Sequence, residues 1–294
     1  MSAFSAQDFN AKRYSSVRPT YPDSFYKVLS DYHRGPRELV VDVGCGPGIA
    51  TFQLSEQLDS FQRVIGTDLS PTMVEGARSI QKQNPQRHSR VSFEQSPGES
   101  FKFLESKTDK QKCDMITAVE CVHWFDFSKF QEAVADTLRP GGTLAIWGYG
   151  DFFFPDYPLL TAEIDHLSYA DDKLGPYWQQ PGRRIACEML KDLHYDPKWF
   201  QDIEEVYFYE NDLEGKGPND IPLFMYQRLT LAQLKEYIKS WSGYHSWKKD
   251  NPSAEKDITD AFVDRAIELY PQLNENSELQ ITWRTFWMFA RRRY

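Results

Sequence analysis

The sequence predicts an α/β fold in which a doubly wound, mainly parallel sheet carries helices on both faces. Three observations lead there. From residue 36 to 150, short apolar runs alternate with helix-forming segments, the rhythm of successive βαβ units. The first run, Leu39-Val40-Val41, ends in Asp42 and then breaks into three alternate glycines, Gly44, Gly46 and Gly48. The second, Arg63 to Asp68, also ends in an acid, 26 residues after Asp42, which is one strand–helix–strand step.

The elements follow in order. Residues 1–22 are polar with interleaved aromatics and arginines, among them Arg13, Tyr14, Arg18 and Tyr21; they read as a solvated arm or as a flap over a site. A first helix is expected from about Asp23 to His33. Strands are expected at 38–43, 63–68, 90–95, 113–119 and 143–149, with helices between them. Ser70-Pro71 reads as a helix start, with Ser as cap and Pro in the first turn. Ser128 opens a helix from Lys129 to Leu138, which Pro140-Gly141-Gly142 stops.

Residues 151–200 break the rhythm with two aromatic loops, Asp151 to Pro158 and Gly175 to Arg184. A strand is expected at 203–209 and an exposed Gly/Pro/Asp loop at 211–222. Thr230 to Ser242 reads as one helix. Thr230 and Gln233 have the capping-box spacing, and Leu231, Leu234, Ile238 and Trp241 share an apolar face. A further helix, about Asp257 to Tyr270, precedes a last strand, Glu278 to Phe289, the seventh. The chain is expected to be one domain over 1–294. Its parts are the flap (1–22), the core (36–150), two insertions (151–200 and 210–277) and the last strand (278–290). The insertions belong above the carboxyl ends of the strands, as a lid where open sheets bind ligands.

A formal net charge of -9 argues against bulk nucleic-acid binding. Four cysteines without a CxxC pair argue against a zinc site or a disulfide framework, so no metal is expected. The N-terminal stretch MSAFSAQDFNAKRYSS lacks the apolar segment of a secretory signal, and no run is long enough to span a membrane. A cytoplasmic setting is expected, and the oligomeric state is not readable.

The glycine spacing narrows the ligand. A dinucleotide fingerprint has G-x-G-x-x-G, and here the third glycine comes one residue early. The Gly-Lys-Ser/Thr ending of a P-loop is absent. D-x-G-x-G-x-G instead resembles the first motif of the class I S-adenosylmethionine (SAM) dependent methyltransferases. The resemblance implies a Rossmann-like sheet of seven strands, the last antiparallel, with SAM as cofactor. It places Asp42, Gly44, Gly46 and Gly48 against the amino-acid and ribose parts of SAM. A strand-end acid such as Asp68 can accept both ribose hydroxyls. Leu69, Met73 and Tyr14 are expected on the cofactor side. Glu120, after the fourth strand, either holds the SAM ammonium or caps a helix. Many relatives carry an Asp after the third strand for the adenine amino group. Here Pro97 stands in Ser96-Pro97-Gly98-Glu99, so the adenine contact falls to Glu99 or to backbone at Gly98.

Further phrases narrow the family. RYSSVRPTYP (13–22), AVECVHWFD (118–126), GPYWQQPGR (175–183) and WSGYHSWKKDNP (241–252), with the glycine motif, resemble the fungal trans-aconitate methyltransferases along the full length. Enzymes similar to these transfer the SAM methyl to a carboxylate of a small polycarboxylic acid, giving a monomethyl ester. A related fungal group acts on other small diacid-like molecules. A carboxylate is ionised near pH 7, so this chemistry needs alignment and water exclusion, with no catalytic acid or base. A cage of Arg, Tyr, Trp and His is therefore expected: Arg18, His123, Trp124, Tyr149, Tyr177, Trp178, Arg183 and Tyr244, with Trp283 nearby. Trp241 reads as core, and Arg184 and Arg291 to Arg293 as solvated. The rival readings are a methyltransferase for another small acid or lactone-derived diacid, and a SAM-binding sensor without catalysis.

Overall fold

A computed structural model describes residues 18–104 and 113–294. Arg13 and Tyr14, expected in the flap, lie outside the described residues. Helix α1 (Asp23–Tyr32) leads into β1 (Leu39–Val43), α2 (Ile49–Gln57), β2 (Arg63–Asp68), α3 (Pro71–Gln83) and β3 (Val91–Gln95). Then come β4 (Cys113–Val119), α4 (Phe127–Thr137) and β5 (Leu138–Phe153). The second half holds α5 (Pro158–Tyr169), α6 (Gly182–Cys187), β6 (Phe200–Phe208), the single turn α7 (Glu210–Leu213) and β7 (Tyr226–Thr230). It ends with α8 (Leu231–Ile238), α9 (Ser242–Asp250), α10 (Ile258–Leu269) and β8 (Glu278–Arg292).

One sheet contains all of these strands, in the order β3-β2-β1-β4-β5-β8-β6, with β7 pairing β8 off that path. Strands β1 to β5 are mutually parallel, and β8 runs antiparallel to β5, β6 and β7. Every residue of β1 is buried. Val40 enters one core with Leu54 and Trp147, whereas Leu39, Val41 and Val43 enter the other with Phe130 and Val134. A strand covered on both faces is continuously apolar for this reason, and its alternate residues serve two layers. The strand order reverses between β1 and β4, and the crevice of such a sheet opens there, at the carboxyl ends.

The α/β class and the parallel core agree with the sequence reading, and several details differ from it. Among the described residues there are eight strands where seven were expected, because Tyr226–Thr230 pairs antiparallel along the start of β8. Pro140-Gly141-Gly142 does not simply stop a helix. It forms the irregular start of β5, where pairing jumps from Cys113↔Leu138 to Met115↔Thr143. The preceding helix begins at Phe127, with the Asp126 carboxylate accepting the Lys129 N–H. The segment after Asp151 holds a full helix, Pro158–Tyr169, with Pro in its first turn. The capping box at Thr230 and Gln233 forms in both directions, at 3.1 and 2.9 Å. The helix it opens ends at Ile238, however, and a new one starts after Trp241. Arg291 is not solvated. It lies on β8, 7% exposed, donating to Asp202 and to the Tyr32 carbonyl. Arg292 and Arg293 donate to backbone carbonyls of Ala135 and Pro197. Arg184 is exposed, in ion pairs with Glu188 and Asp192.

Candidate active site

The loop after β1 sits at the strand-order reversal. Its three glycines all have positive φ, +65° at Gly44, +55° at Gly46 and +92° at Gly48. The reasons for glycine differ along the loop. A Cβ on Gly44 would lie 2.6 Å from the Cβ of Cys121, so the second residue after β4 packs directly against it. A Cβ on Gly48 would meet the rings of Phe52 and Phe93 at 2.8 and 3.0 Å. Beside Gly46 nothing lies within 4 Å. Gly46 borders an inner cavity, about 510 Å³ with its open mouth included, lined also by Gly44, Asp42, Pro47 and Tyr21.

Strand-end acids brace this loop. Asp42 is wholly buried and accepts from the hydroxyls of Thr51 (2.6 Å) and Thr117 (2.7 Å), its register partner on β4. Burial pushes its carboxyl up to about 6, against the pull of the two hydroxyls. Asp68 accepts from the Gly46 N–H (2.9 Å) and the Ser70 N–H (2.8 Å). Its carboxyl is raised by burial, with the two backbone bonds opposing. Leu69, the next residue, is 65% exposed, an uncovered apolar side chain at the rim of the crevice.

A second, outer cavity, about 820 Å³ with its open mouth included, adjoins the first. Arg18, Glu120 and Tyr149 line both. Glu120 follows β4 with φ +55°, a left-handed conformation uncommon outside glycine. That turn folds its carboxylate onto the Tyr149 N–H and over Gly148, where a Cβ would lie 2.0 Å from Glu120 Oε1. Burial pushes the Glu120 carboxyl up to about 7, with the Tyr149 N–H, Arg18 and Arg183 opposing. Arg18 donates to the Tyr149 hydroxyl at 3.3 Å and lies 5.6 Å from the centre of the Tyr237 ring. His123 is pushed down to about 4 by burial and by Arg183, so its ring is neutral near pH 7.

Of the expected cage, Arg18, His123, Trp124, Tyr149, Trp178, Arg183 and Trp283 line the outer cavity. Tyr177 and Tyr244 do not. The Tyr177 hydroxyl accepts from Asn251 Nδ2 at 3.1 Å, and that of Tyr244 donates to Asp257 at 2.8 Å, so both brace α9. Trp241, expected in the core, is nearly buried yet also lines the cavity, beside Tyr237 and Ser242. Asp151 and Phe152 line it too. On the cofactor side, Met73 is 4% exposed, and its N–H is capped by Ser70. Glu99 accepts the Asp126 N–H at 3.0 Å, and Gly98 sits under the Phe125 ring. Gly48, Asp68, Leu69, Met73, Gly98 and Glu99 line neither cavity; Gly48 packs on Phe52 and Phe93, and Asp68 reaches the loop through the Gly46 N–H. Among the described residues, no group of three or more His, Cys, Asp or Glu is arranged to hold a metal ion. No described helix is long and apolar enough to cross a membrane.

Residues 40–142 match the family described as "Methyltransferase domain", a span that begins in β1 and ends in β5. A probable S-adenosylmethionine-dependent methyltransferase of Saccharomyces cerevisiae, CRG1, is 32% identical over 98% of this chain and 97% of its own length. The methyltransferase tpcM of Aspergillus fumigatus is 30% identical over 95% of this chain and 90% of its own. Among solved structures, a putative type II methyltransferase from Anaeromyxobacter dehalogenans shares the fold, with a TM-score of 0.67 and 20% identity over 93% of this chain and 97% of its own. With relatives aligned from end to end and the glycine loop of β1 inside the matched domain, the chain belongs to the SAM-dependent methyltransferases, and SAM is its cofactor.

Proposed function

We propose that this methyltransferase forms a methyl ester on a carboxylate of a small polycarboxylic acid, with trans-aconitate as the leading acceptor. One observation carries the reading: the cavity beside the glycine loop shares Arg18, Glu120 and Tyr149 with a second cavity walled by aromatic rings and two arginines. Two adjoining chambers with a common wall suit a donor and an acceptor held for in-line transfer.

The residues of the inner cavity suit the amino-acid end of SAM, and the strand ends beside it suit the ribose and base. The open space at Gly46 is a cradle that a Cβ would fill, and the Asp68 carboxylate stands at the adjacent strand end. When bound, SAM supplies a methyl group on a sulfonium. Asp68 would accept the ribose hydroxyls, Glu120 would take the ammonium, and Leu69 would cover the base. Asp42, with both oxygens bonded to threonine hydroxyls, would act by holding the loop. In the outer cavity, Arg18 and Arg183 would hold carboxylates. Neutral His123 and the rings of Trp124, Trp178 and Trp283 would orient the acceptor and exclude water. The two insertions, which supply Trp178, Arg183, Tyr237 and Trp241, would close over it as a lid. No side chain need take a proton, because the nucleophile is already a carboxylate.

A second reading keeps the reaction and changes the acceptor to a smaller or less charged acid. It is favoured by Arg183, whose charge is already matched by Asp151 at 2.6 Å. Transfer from labelled SAM to trans-aconitate, cis-aconitate, citrate, isopropylmalate and a monoacid tests both. Rates highest for trans-aconitate support the first reading, and rates highest for a diacid support the second. SAM binding with no transfer to any acid would sink both and favour a sensor.

A further inference from the structure

Pairing between β5 and β8 slips at one place, passing from Tyr149↔Thr285 to Phe152↔Trp283. The two residues in the slip are Gly150 and Asp151. Such irregularities re-aim side chains beside active sites, and here Asp151 lines the outer cavity. It is met there by Arg183, whose Nη2 donates to Asp151 at 2.6 Å and to the Tyr169 hydroxyl at 2.7 Å. Tyr169 hydrogen-bonds the other Asp151 oxygen. The guanidinium carbon lies 4.2 Å from the centre of the Trp178 ring and 5.2 Å from that of Tyr169. Arg183 is thus fixed in position and neutralised from one side. Its Nε is buried without a hydrogen-bond partner among the described residues. A buried donor without a partner is costly unless a ligand oxygen meets it.

We propose that Asp151 is a specificity-determining residue that limits how many negative charges the acceptor carries, and that Tyr169 is a positioning residue that holds Arg183 for it. The inference rests on the anionic acceptor proposed above, and of its two readings it favours the less charged acid. Arg183 binds one acceptor carboxylate through its unoccupied edge, while Asp151 repels any further charge brought close. Removing the Asp151 charge frees Arg183 for a more highly charged acid. Removing the Tyr169 hydroxyl loosens Arg183 without changing the charge.

The test measures binding by calorimetry with S-adenosylhomocysteine present, using tricarballylate as a tricarboxylate and glutarate as a dicarboxylate. Asp151→Asn should raise the tricarboxylate-to-dicarboxylate affinity ratio about tenfold, the effect of one unit charge about 12 Å from the extra carboxylate at an effective dielectric of about 20. Tyr169→Phe should weaken both acids alike and leave S-adenosylhomocysteine binding unchanged. If Asp151→Asn does not fold, Asp151→Ser removes the same charge and reads the same ratio. Equal weakening of both acids on loss of the Asp151 charge overturns the proposal, and so does a wild-type protein that binds neither acid. Ester formation is scored separately. Ester product with an unchanged ratio refutes the role of Asp151 alone. A shifted ratio without ester leaves Asp151 as a selector of bound acids and refutes the proposed reaction.

Discussion

Two substitutions in one loop should separate folding from cofactor binding. At Gly44, an alanine Cβ would sit 2.6 Å from Cys121 Cβ and 2.7 Å from its sulfur, with φ at +65°. The left-handed backbone costs about 1–2 kcal/mol for an L-residue, and overpacking a close contact costs about 1–3 kcal/mol more. Gly44→Ala should therefore lose about 2–5 kcal/mol of stability. At Gly46, φ is +55° but nothing lies within 4 Å of the added Cβ. Gly46→Val should cost about 1–2 kcal/mol from backbone conformation alone, while placing its branches in the inner cavity. Thermal melting with and without SAM reads both effects. At SAM about 100-fold above its dissociation constant, the wild type gains about 2.7 kcal/mol. Gly46→Val should melt slightly lower than wild type and show no gain with SAM. Gly44→Ala should melt far lower even without ligand. Gly46→Val with a normal SAM-dependent rise would refute the assignment of the inner cavity to SAM.

Asp68→Ala should weaken SAM binding by about 1.5–3 kcal/mol, the range for hydrogen bonds to a charged group, measured by calorimetry. Arg18→Ala should raise the acceptor's KM more than that of SAM in initial-rate assays; equal effects would move Arg18 to the cofactor side. Glu120 has a folded value of about 7 against an ordinary 4.5. The native state therefore holds this proton more tightly than the unfolded chain, and its contribution to stability is full below 4.5 and lost as pH rises through 7. SAM, a cation, should bind more tightly as Glu120 ionises over the same interval, and Glu120→Gln should flatten that rise in a pH series of binding titrations.

The parallel core was readable because β1 and β2 are short, apolar on both faces and punctuated by acids and glycines, signals that lie within a few residues. The second half was harder to read because its elements are set by distant partners. Tyr226–Thr230 carries no alternation of its own and becomes a strand by pairing with Glu278–Thr282. Lys239-Ser240 contains neither Gly nor Pro, so nothing in the sequence marks the end of α8 before Trp241. At the site, residue type alone could not say which aromatics face the cavity. Tyr177 and Tyr244 resemble Trp178 in their loop phrases, yet their hydroxyls are taken by Asn251 and Asp257. Asp151 was hidden among aromatics, because the slip that aims it arises only when β5 pairs with β8.

In the proposed reaction a carboxylate oxygen receives the methyl group. Its most direct test is to incubate the protein with SAM and trans-aconitate and identify the product by mass spectrometry before and after mild alkali. The expected product is an acid one methylene heavier that reverts to trans-aconitate in base. A methylated product that survives alkali, or labelled methyl appearing only on a non-acid acceptor, would contradict it.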